Sequence, residues 1–208
     1  MRNSWLDIPL ADYEAHMALP TVGQSQLLSE LFADALKRHR PRSVAILGCA
    51  GGNGLERVAE FGVERVIGVD INPSYIESTA TRFRGRLREL ELYVGDVQVD
   101  DFSFAPVELV FAGLLFEYVD PLRTLSKIQA MLEPGGVLVC VLQLPSATAT
   151  VTPSPYDSLQ SLSSLMHLIS PTQLEHFGAE LGFIAEATQI RESIGGKQFS
   201  VHDFRVTG

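Results

Sequence analysis

The stretch VAILGCAGGNGLE, residues Val44–Glu56, decides the fold predicted for this chain. A short apolar run passes directly into a glycine-rich turn, after which a helix is expected to begin. Glycine tolerates positive φ and close approach of a ligand, and a helix N-terminus presents free N–H groups to a phosphate or carboxylate. We therefore expect a ligand site here, although a tight packing turn is the alternative. The residues assigned to this site are Gly48, Cys49, Ala50, Gly51 and Gly52.

Short, almost continuously apolar runs recur along the chain and are separated by helix-like segments. The runs read as strands at Ser43–Gly48, Arg65–Ile71, Glu91–Val94, Val107–Ala112 and Val137–Leu142. Continuous rather than alternating hydrophobicity is typical of parallel strands covered on both faces. Helices are predicted at Pro73–Arg84 and Pro121–Leu132, each with proline at its first position. The alternation predicts an α/β fold with a doubly wound, mostly parallel sheet.

The two ends of the chain differ from this middle. We expect an N-terminal flap over residues 1–40, including an amphipathic helix at Gln24–Arg40. A long connection at 145–169 reads as a lid or a flexible insertion, with a short helix near Ser158–Leu168. A helix at Pro171–Leu181 follows, capped by Ser170. Two further strands are predicted at Phe183–Arg191 and Lys197–Val206, and a glycine pair joins them as an antiparallel pair at the C-terminal end. The predicted sheet thus has seven strands, and the whole chain, 1–208, is expected to form one domain.

Composition narrows the classes of partner. The chain has 208 residues and a formal net charge of −9, which disfavours a nucleic-acid partner because phosphate binding needs a basic face. We interpret the arginines within 82–88 as the solvated end of a helix, although a local basic patch could bind a phosphate despite the negative net charge. No signal peptide or membrane span is recognised, and two isolated cysteines predict a reducing, cytoplasmic location. No metal-ligand cluster is seen, and the oligomeric state stays open.

Two carboxylates follow the second and third predicted strands. Asp70, with Ile71 beside it, comes about 20 residues after the first glycine, the spacing of an acid that accepts the two ribose hydroxyls of a nucleotide. The alternative is a helix-capping aspartate. Asp96, with Val97, could bind the exocyclic amine and the ring of adenine. Both acids belong at the carboxyl ends of strands, where the cleft of such sheets lies.

In this order the elements resemble the class I S-adenosylmethionine-dependent methyltransferases. Gly48–Gly52 resembles the glycine motif of that family, Asp70 its ribose acid, and Gly95-Asp96 its adenine-site acid. The segment from Phe116–Pro121 through Leu132–Leu138 resembles its fourth-strand, helix and fifth-strand region. The resemblance covers Ser43–Leu142 and implies a Rossmann-like fold, S-adenosylmethionine as cofactor, and methyl transfer by in-line displacement.

Two departures from the family pattern stand out. Ile46 occupies the position where members commonly carry an acid that helps to hold the methionyl amine. The frequent Glu-His pair after the fourth strand is Glu117-Tyr118 here. The amine contact is therefore expected elsewhere, and a divergent or inactive member stays open.

The general base is not fixed by the sequence. Candidates for a catalytic group are Tyr13, His16, Glu117, Tyr118 and His167. Glu117 could instead cap the following helix, and the others could simply pack or lie at the surface. Aromatic and apolar residues of the lid favour a small-molecule acceptor. Two alternatives remain: an NAD-dependent oxidoreductase, whose glycine loop and ribose acid would look similar, and a non-catalytic S-adenosylmethionine-binding module.

Overall fold

A twisted sheet of seven strands forms the centre of the computed structural model, which describes residues 3–147 and 149–207. The strands are β1 Ser43–Leu47, β2 Arg65–Asp70, β3 Glu89–Val94, β4 Val107–Gly113, β5 Leu132–Gln143, β6 Phe183–Glu192 and β7 Gln198–Val206. Their order is β3-β2-β1-β4-β5-β7-β6, and β7 runs antiparallel to both of its neighbours. The doubly wound α/β fold with a C-terminal antiparallel pair, predicted from the sequence, is confirmed.

The described part of the chain contains five α-helices. They are α1 Leu10–Ala18, α2 Gln24–His39, α3 Pro73–Phe83, α4 Pro121–Met131 and α5 Pro171–Glu180. Shorter 3₁₀ helices occur at Ser4–Asp7, Leu55–Phe61 and Asp157–Ser164. The starts of α3, α4 and α5 follow from local chemistry: each has proline in its first turn and a side-chain cap, from Asn72, Asp120 and Ser170 respectively.

The core has two layers because adjacent residues of each strand face opposite sides of the sheet. On one side Val44 and Ile46 of β1 pack with α2, the 3₁₀ helix Leu55–Phe61 and the end of α3. On the other side Ala45 and Leu47 pack with α4 and α5. All five residues of β1 are buried, as the continuously apolar sequence predicts for a central parallel strand.

Three elements differ from the sequence expectation. The glycine turn leads into a 3₁₀ helix rather than an α-helix; Gly52 and Gly54 have φ of 84° and 89°, which interrupts helical backbone until Leu55. The last strand of the parallel set, β5, begins five residues early because Leu132 already pairs with Val107 before a register shift. The flap contains a helix, α1, that the sequence reading did not identify.

The flap and the lid pack against each other over the carboxyl edge of the sheet. Ile8 of the flap forms a buried cluster with Leu159 and Leu162 of the lid, and Ser158 Oγ donates a hydrogen bond to Asp12 Oδ2 at 2.7 Å. The helix predicted near Ser158–Leu168 is the 3₁₀ helix Asp157–Ser164. Across residues 3–147 and 149–207, no helix has the length and apolar character needed to cross a membrane.

Candidate functional site

Three neighbouring cavities lie at the carboxyl ends of the parallel strands, and Tyr13 of the flap contributes to the wall of each. The glycine-loop cavity, about 370 Å³, lies against Gly48–Gly52. The Asp70 cavity, about 90 Å³, lies between the loops that follow β2, β3 and β4. The flap–lid cavity, about 50 Å³, lies between α1 and the lid. The fold thus brings nearly all the predicted cofactor-binding and catalytic residues together at the carboxyl edge of the sheet.

The glycine loop is fixed in place by backbone hydrogen bonds to β2. The N–H groups of Gly48 and Cys49 both donate to the carbonyl of Val69, at 2.9 and 3.1 Å. Gly48 has φ of 69°, and a Cβ added there would meet only Leu115 Cδ1, at 3.7 Å. Gly48 lines both the glycine-loop cavity and the Asp70 cavity. A side chain at this position would therefore occupy space that the backbone leaves open for a ligand.

Asp70 lies at the end of β2 with its carboxylate turned towards the glycine loop. Oδ2 accepts the Ala50 N–H at 2.8 Å, and Oδ1 accepts the Asn72 N–H at 2.9 Å. Burial raises the pKa of this carboxyl to about 6, although the backbone N–H bonds oppose that rise. Each carboxylate oxygen has capacity for a second hydrogen bond, so the group can still accept ligand hydroxyls. Asp70 and Ile71 both line the Asp70 cavity.

Asp96 and Val97 form the facing part of the same cavity. Asp96 Oδ1 accepts the Gln98 N–H at 2.9 Å and the Gln98 amide Nε2 at 3.1 Å, while Val97 is buried. The Gly95 N–H donates to the carbonyl of Asp70 at 3.0 Å, which holds the loops after β2 and β3 together. The two acids predicted from the sequence thus border one cavity.

Aromatic side chains from the flap cover the Asp70 cavity. Trp5 meets the rings of Tyr118 and Tyr13 edge-on, with centroid separations of 5.1 and 5.7 Å. Two hydrogen bonds tie the flap to the start of α3. The Asn72 side-chain amide donates to the Trp5 carbonyl at 2.9 Å, and the Tyr75 hydroxyl donates to the Ile8 carbonyl at 3.1 Å. Trp5 was not among the residues assigned to the site, because neither spacing nor a motif marks an isolated tryptophan ahead of the first helix.

The flap–lid cavity combines an apolar wall with a small polar group of residues. His16 is buried, and its Nδ1 finds no hydrogen-bond partner among the described residues. Burial, and then the charge of Lys197, lowers the pKa of His16, so the imidazole is neutral near pH 7. Beside it the Gln24 amide reaches Gln143 Oε1 at 3.4 Å, and the Gln143 amide donates to the Thr150 carbonyl at 2.9 Å.

The remaining candidate bases lie in different surroundings. Tyr118 lines both the Asp70 cavity and the flap–lid cavity. Glu117 is 1% exposed and is absent from the walls of all three cavities. Its Oε1 accepts the Gln143 N–H at 2.6 Å, and burial raises its pKa to about 7. His167 is exposed and donates its backbone N–H to the Glu117 carbonyl at 2.8 Å.

Glu117 therefore supports the strand that carries Gln143, and its alternative interpretation as a helix cap is wrong. The N-cap of α4 is Asp120, whose Oδ1 accepts the Arg123 N–H at 2.9 Å. Among residues 3–147 and 149–207, no group of three or more His, Cys, Asp or Glu side chains could hold a metal ion.

Comparison with known proteins agrees with this geometry. A family model described as a methyltransferase domain matches residues 46–140. The ribosomal protein L11 methyltransferase of Tolumonas auensis is 32% identical over 100 residues, which are 47% of this chain and 32% of that protein. The chain thus spans about a third of the length of this curated relative.

Two solved structures illustrate the likeness of fold. The N-methyltransferase NodS from Bradyrhizobium japonicum, solved with S-adenosyl-L-homocysteine, has a TM-score of 0.67 at 17% identity over 89% of this chain and 88% of its own. The magnesium protoporphyrin IX methyltransferase from Synechocystis, also solved with S-adenosyl-L-homocysteine, has a TM-score of 0.68 at 12% identity over 89% and 84%. The predicted resemblance to class I methyltransferases is confirmed by the family match together with these folds.

Proposed function

We propose that this chain, whose residues 46–140 belong to the methyltransferase-domain family, is an S-adenosylmethionine-dependent methyltransferase that acts on a small-molecule acceptor. The observation that carries the proposal is the junction of cavities at Tyr13. The glycine-loop cavity and the Asp70 cavity, which the glycine loop, Asp70 and Asp96 border, adjoin the flap–lid cavity; there His16 is neutral near pH 7, and its Nδ1 has no hydrogen-bond partner among residues 3–147 and 149–207.

The residues present fit the cofactor. Asp70 would accept the ribose hydroxyls, Asp96 would accept the adenine amine and Val97 would pack on the ring, while the open side of Gly48 leaves room for the part of the cofactor that follows the ribose. S-adenosylmethionine supplies an electrophilic methyl group on a positively charged sulfur. Trp5 and Tyr13 line both the Asp70 cavity and the flap–lid cavity, so they would help to position that group where the two cavities meet. Much of the rate enhancement then comes from proximity and orientation, worth up to about 7–11 kcal/mol in favourable cases.

The flap–lid cavity is proposed to hold the acceptor. Its walls are mainly apolar and aromatic, with Met17, Leu159 and Leu162 among them, and it adjoins the Asp70 cavity along Trp5, Tyr13 and Tyr118. His16 is the group best placed to take a proton from an acceptor hydroxyl or amine, because it is buried beside the cavity and neutral near pH 7. Tyr118 lies on the same boundary and would orient the acceptor.

A small acceptor is favoured over a macromolecule by the way in which the cavity is covered. The flap and the lid meet over it through Ile8, Leu159 and Leu162, and the Asp12–Ser158 hydrogen bond joins them. The net charge of −9 also opposes a nucleic-acid acceptor. A protein acceptor is the second candidate, since the curated relative is a methyltransferase for ribosomal protein L11.

Both cysteines are free and buried, in keeping with the cytoplasm as the compartment we propose.

The cofactor is tested by calorimetric titration of purified protein with S-adenosylmethionine, S-adenosylhomocysteine and NAD. Micromolar binding of the first two, without NAD binding, is the expected result. Tight NAD binding would instead support the oxidoreductase alternative that the sequence leaves open. Cofactor binding without transfer to any acceptor fraction would support the binding-module alternative.

The acceptor is tested with methyl-labelled S-adenosylmethionine and a fractionated cell extract. We expect label in the low-molecular-weight fraction; label in a ribosomal protein would overturn the small-molecule proposal and keep the methyltransferase. His16→Gln should then slow transfer and remove the acidic limb of the pH profile, in which the rate falls as the imidazole becomes protonated, while cofactor affinity stays unchanged. His176→Gln is the matched control, because that histidine lies exposed on α5.

A further inference from the structure

An ion pair lies on the rim of the glycine-loop cavity. Glu14 of α1 and Arg82 of α3 make two parallel contacts: Arg82 Nη2 donates to Glu14 Oε2 at 2.8 Å, and Nη1 donates to Oε1. Arg82 Nη1 also donates to the Gly51 carbonyl at 3.0 Å. Both side chains line the cavity, and they are 39% and 44% exposed, so a ligand can reach them from the cavity side.

The pair lies directly over the glycine loop. A Cβ added to Gly51 would collide with Glu14 Oε1 and Arg82 Nη1. Gly51 does not have the positive φ of Gly48 and Gly52. A side chain at this position would therefore displace the two charged groups from their present contact with the loop.

The same cavity is also lined by apolar residues, one of them at the position where the family commonly has an acid. Ile46 lies there with Leu28, Phe32 and Phe111. A methionyl ammonium in this cavity would thus meet no carboxylate on the β1 side. Glu56 is the other acid that lines the cavity, and it is exposed, with Ser29 Oγ donating to its Oε1 at 3.4 Å.

We infer that Glu14 and Arg82 bind the aminocarboxylate end of S-adenosylmethionine, Glu14 holding the ammonium and Arg82 the carboxylate. This inference rests on the proposed function. The ligand end is a zwitterion, so it can insert between the two side chains and give each charge a new partner of opposite sign. Neither charge is left unpaired in the process, which avoids the penalty of burying an isolated ion.

The assignment also links cofactor binding to the flap. Glu14 is on α1, and the same helix carries Tyr13, which walls all three cavities. A cofactor held by Glu14 therefore favours the closed position of the helix that completes the acceptor cavity, because a ligand stabilises the conformation to which it binds more tightly.

The test compares two nucleosides by calorimetry. S-adenosylhomocysteine carries the aminocarboxylate, whereas 5′-methylthioadenosine shares its adenosine and thioether but lacks that group. Glu14→Gln should weaken binding of S-adenosylhomocysteine by roughly ten- to a hundredfold, the effect of losing a charged hydrogen bond, and leave 5′-methylthioadenosine unchanged. The matched control is Glu64→Gln, which breaks an exposed ion pair with Arg88 outside the cavity and should bind both nucleosides like the unmodified protein. Glu56→Gln tests the other acid that lines the cavity and should not weaken S-adenosylhomocysteine selectively.

Each other outcome overturns the inference. Equal weakening of both nucleosides by Glu14→Gln would mean that Glu14 only supports the flap. Unchanged binding of S-adenosylhomocysteine would remove Glu14 from the site, and a selective loss in Glu56→Gln would give its role to the other acid. If the unmodified protein binds neither nucleoside, the proposed cofactor itself is wrong, and that failure is seen before any variant is measured.

Discussion

Replacing Glu117 by glutamine should stabilise the protein at neutral and alkaline pH. Its carboxyl is 1% exposed, and Oε2 has no hydrogen-bond partner in the described part of the chain. Glutamine has nearly the same shape, and its carbonyl oxygen can still accept the Gln143 N–H that Oε1 accepts at 2.6 Å. The substitution therefore removes a buried charge at high pH and little else.

The size of the effect follows from the pKa. Burial raises the Glu117 pKa from its ordinary 4.5 to about 7. A tenfold change in the ionisation constant is about 1.4 kcal/mol, so the cost of the charged form in the folded protein is roughly 3 kcal/mol. Because the folded state keeps its proton when the unfolded state has already lost it, this carboxyl lowers the free energy of unfolding progressively from pH 4.5 to about pH 7, and the cost is constant above that.

Urea unfolding of both proteins between about pH 5 and about pH 8 measures this contribution, since the other titrating groups cancel in the difference. The advantage of Glu117→Gln should be small at the acid end and reach roughly 2–3 kcal/mol at the alkaline end. The control Glu133→Gln removes an exposed carboxylate of β5 and measures what the change of net charge contributes by itself. An advantage of Glu117→Gln that stays constant or shrinks as pH rises would refute a buried, neutralised carboxyl.

Three further predictions concern the cofactor, the framework and the lid. Asp70→Ala should weaken S-adenosylhomocysteine binding by roughly 1–3 kcal/mol in calorimetry, and unchanged affinity in a folded variant would contradict the ribose assignment. Asp203→Asn should lower the free energy of unfolding by roughly 3 kcal/mol, because the buried Asp203 carboxylate accepts a charged hydrogen bond from Arg38 at 2.8 Å. A change near zero in urea unfolding would contradict a stabilising role for this ion pair. Leu162 is 4% exposed and packs in the flap–lid cluster, so Leu162→Ala should speed amide hydrogen exchange in the lid and leave exchange in the sheet unchanged. Equal acceleration in the lid and the sheet would argue against a flap–lid cluster that is separate from the core.

The parts of the fold that were predictable are those that local sequence specifies. Continuous apolar runs fixed the positions of the parallel strands, and proline after a capping residue marked the starts of α3, α4 and α5. Asp70 and Asp96 could be assigned to one edge because the carboxyl ends of parallel strands converge there.

What could not be predicted depends on contacts between distant parts of the chain. Trp5 belongs to the site only because the flap folds back onto Asn72, 67 positions away. The environment of Glu117, in the turn after β4, is set by Gln143 at the end of β5, 26 positions away, and the sequence neighbours of Glu117 do not reveal it. The 3₁₀ helix after the glycine turn depends on the φ angles of Gly52 and Gly54, which glycine permits but does not require.

The shared wall at Tyr13 has a consequence for the kinetics of the proposed reaction. The flap that covers the cofactor cavity also forms one side of the acceptor cavity, so an acceptor already in place would block the path by which the nucleoside enters. Substrates would then bind in a compulsory order, with S-adenosylmethionine first and S-adenosylhomocysteine leaving last. Initial-rate measurements would show S-adenosylhomocysteine competing with the cofactor and not with the acceptor.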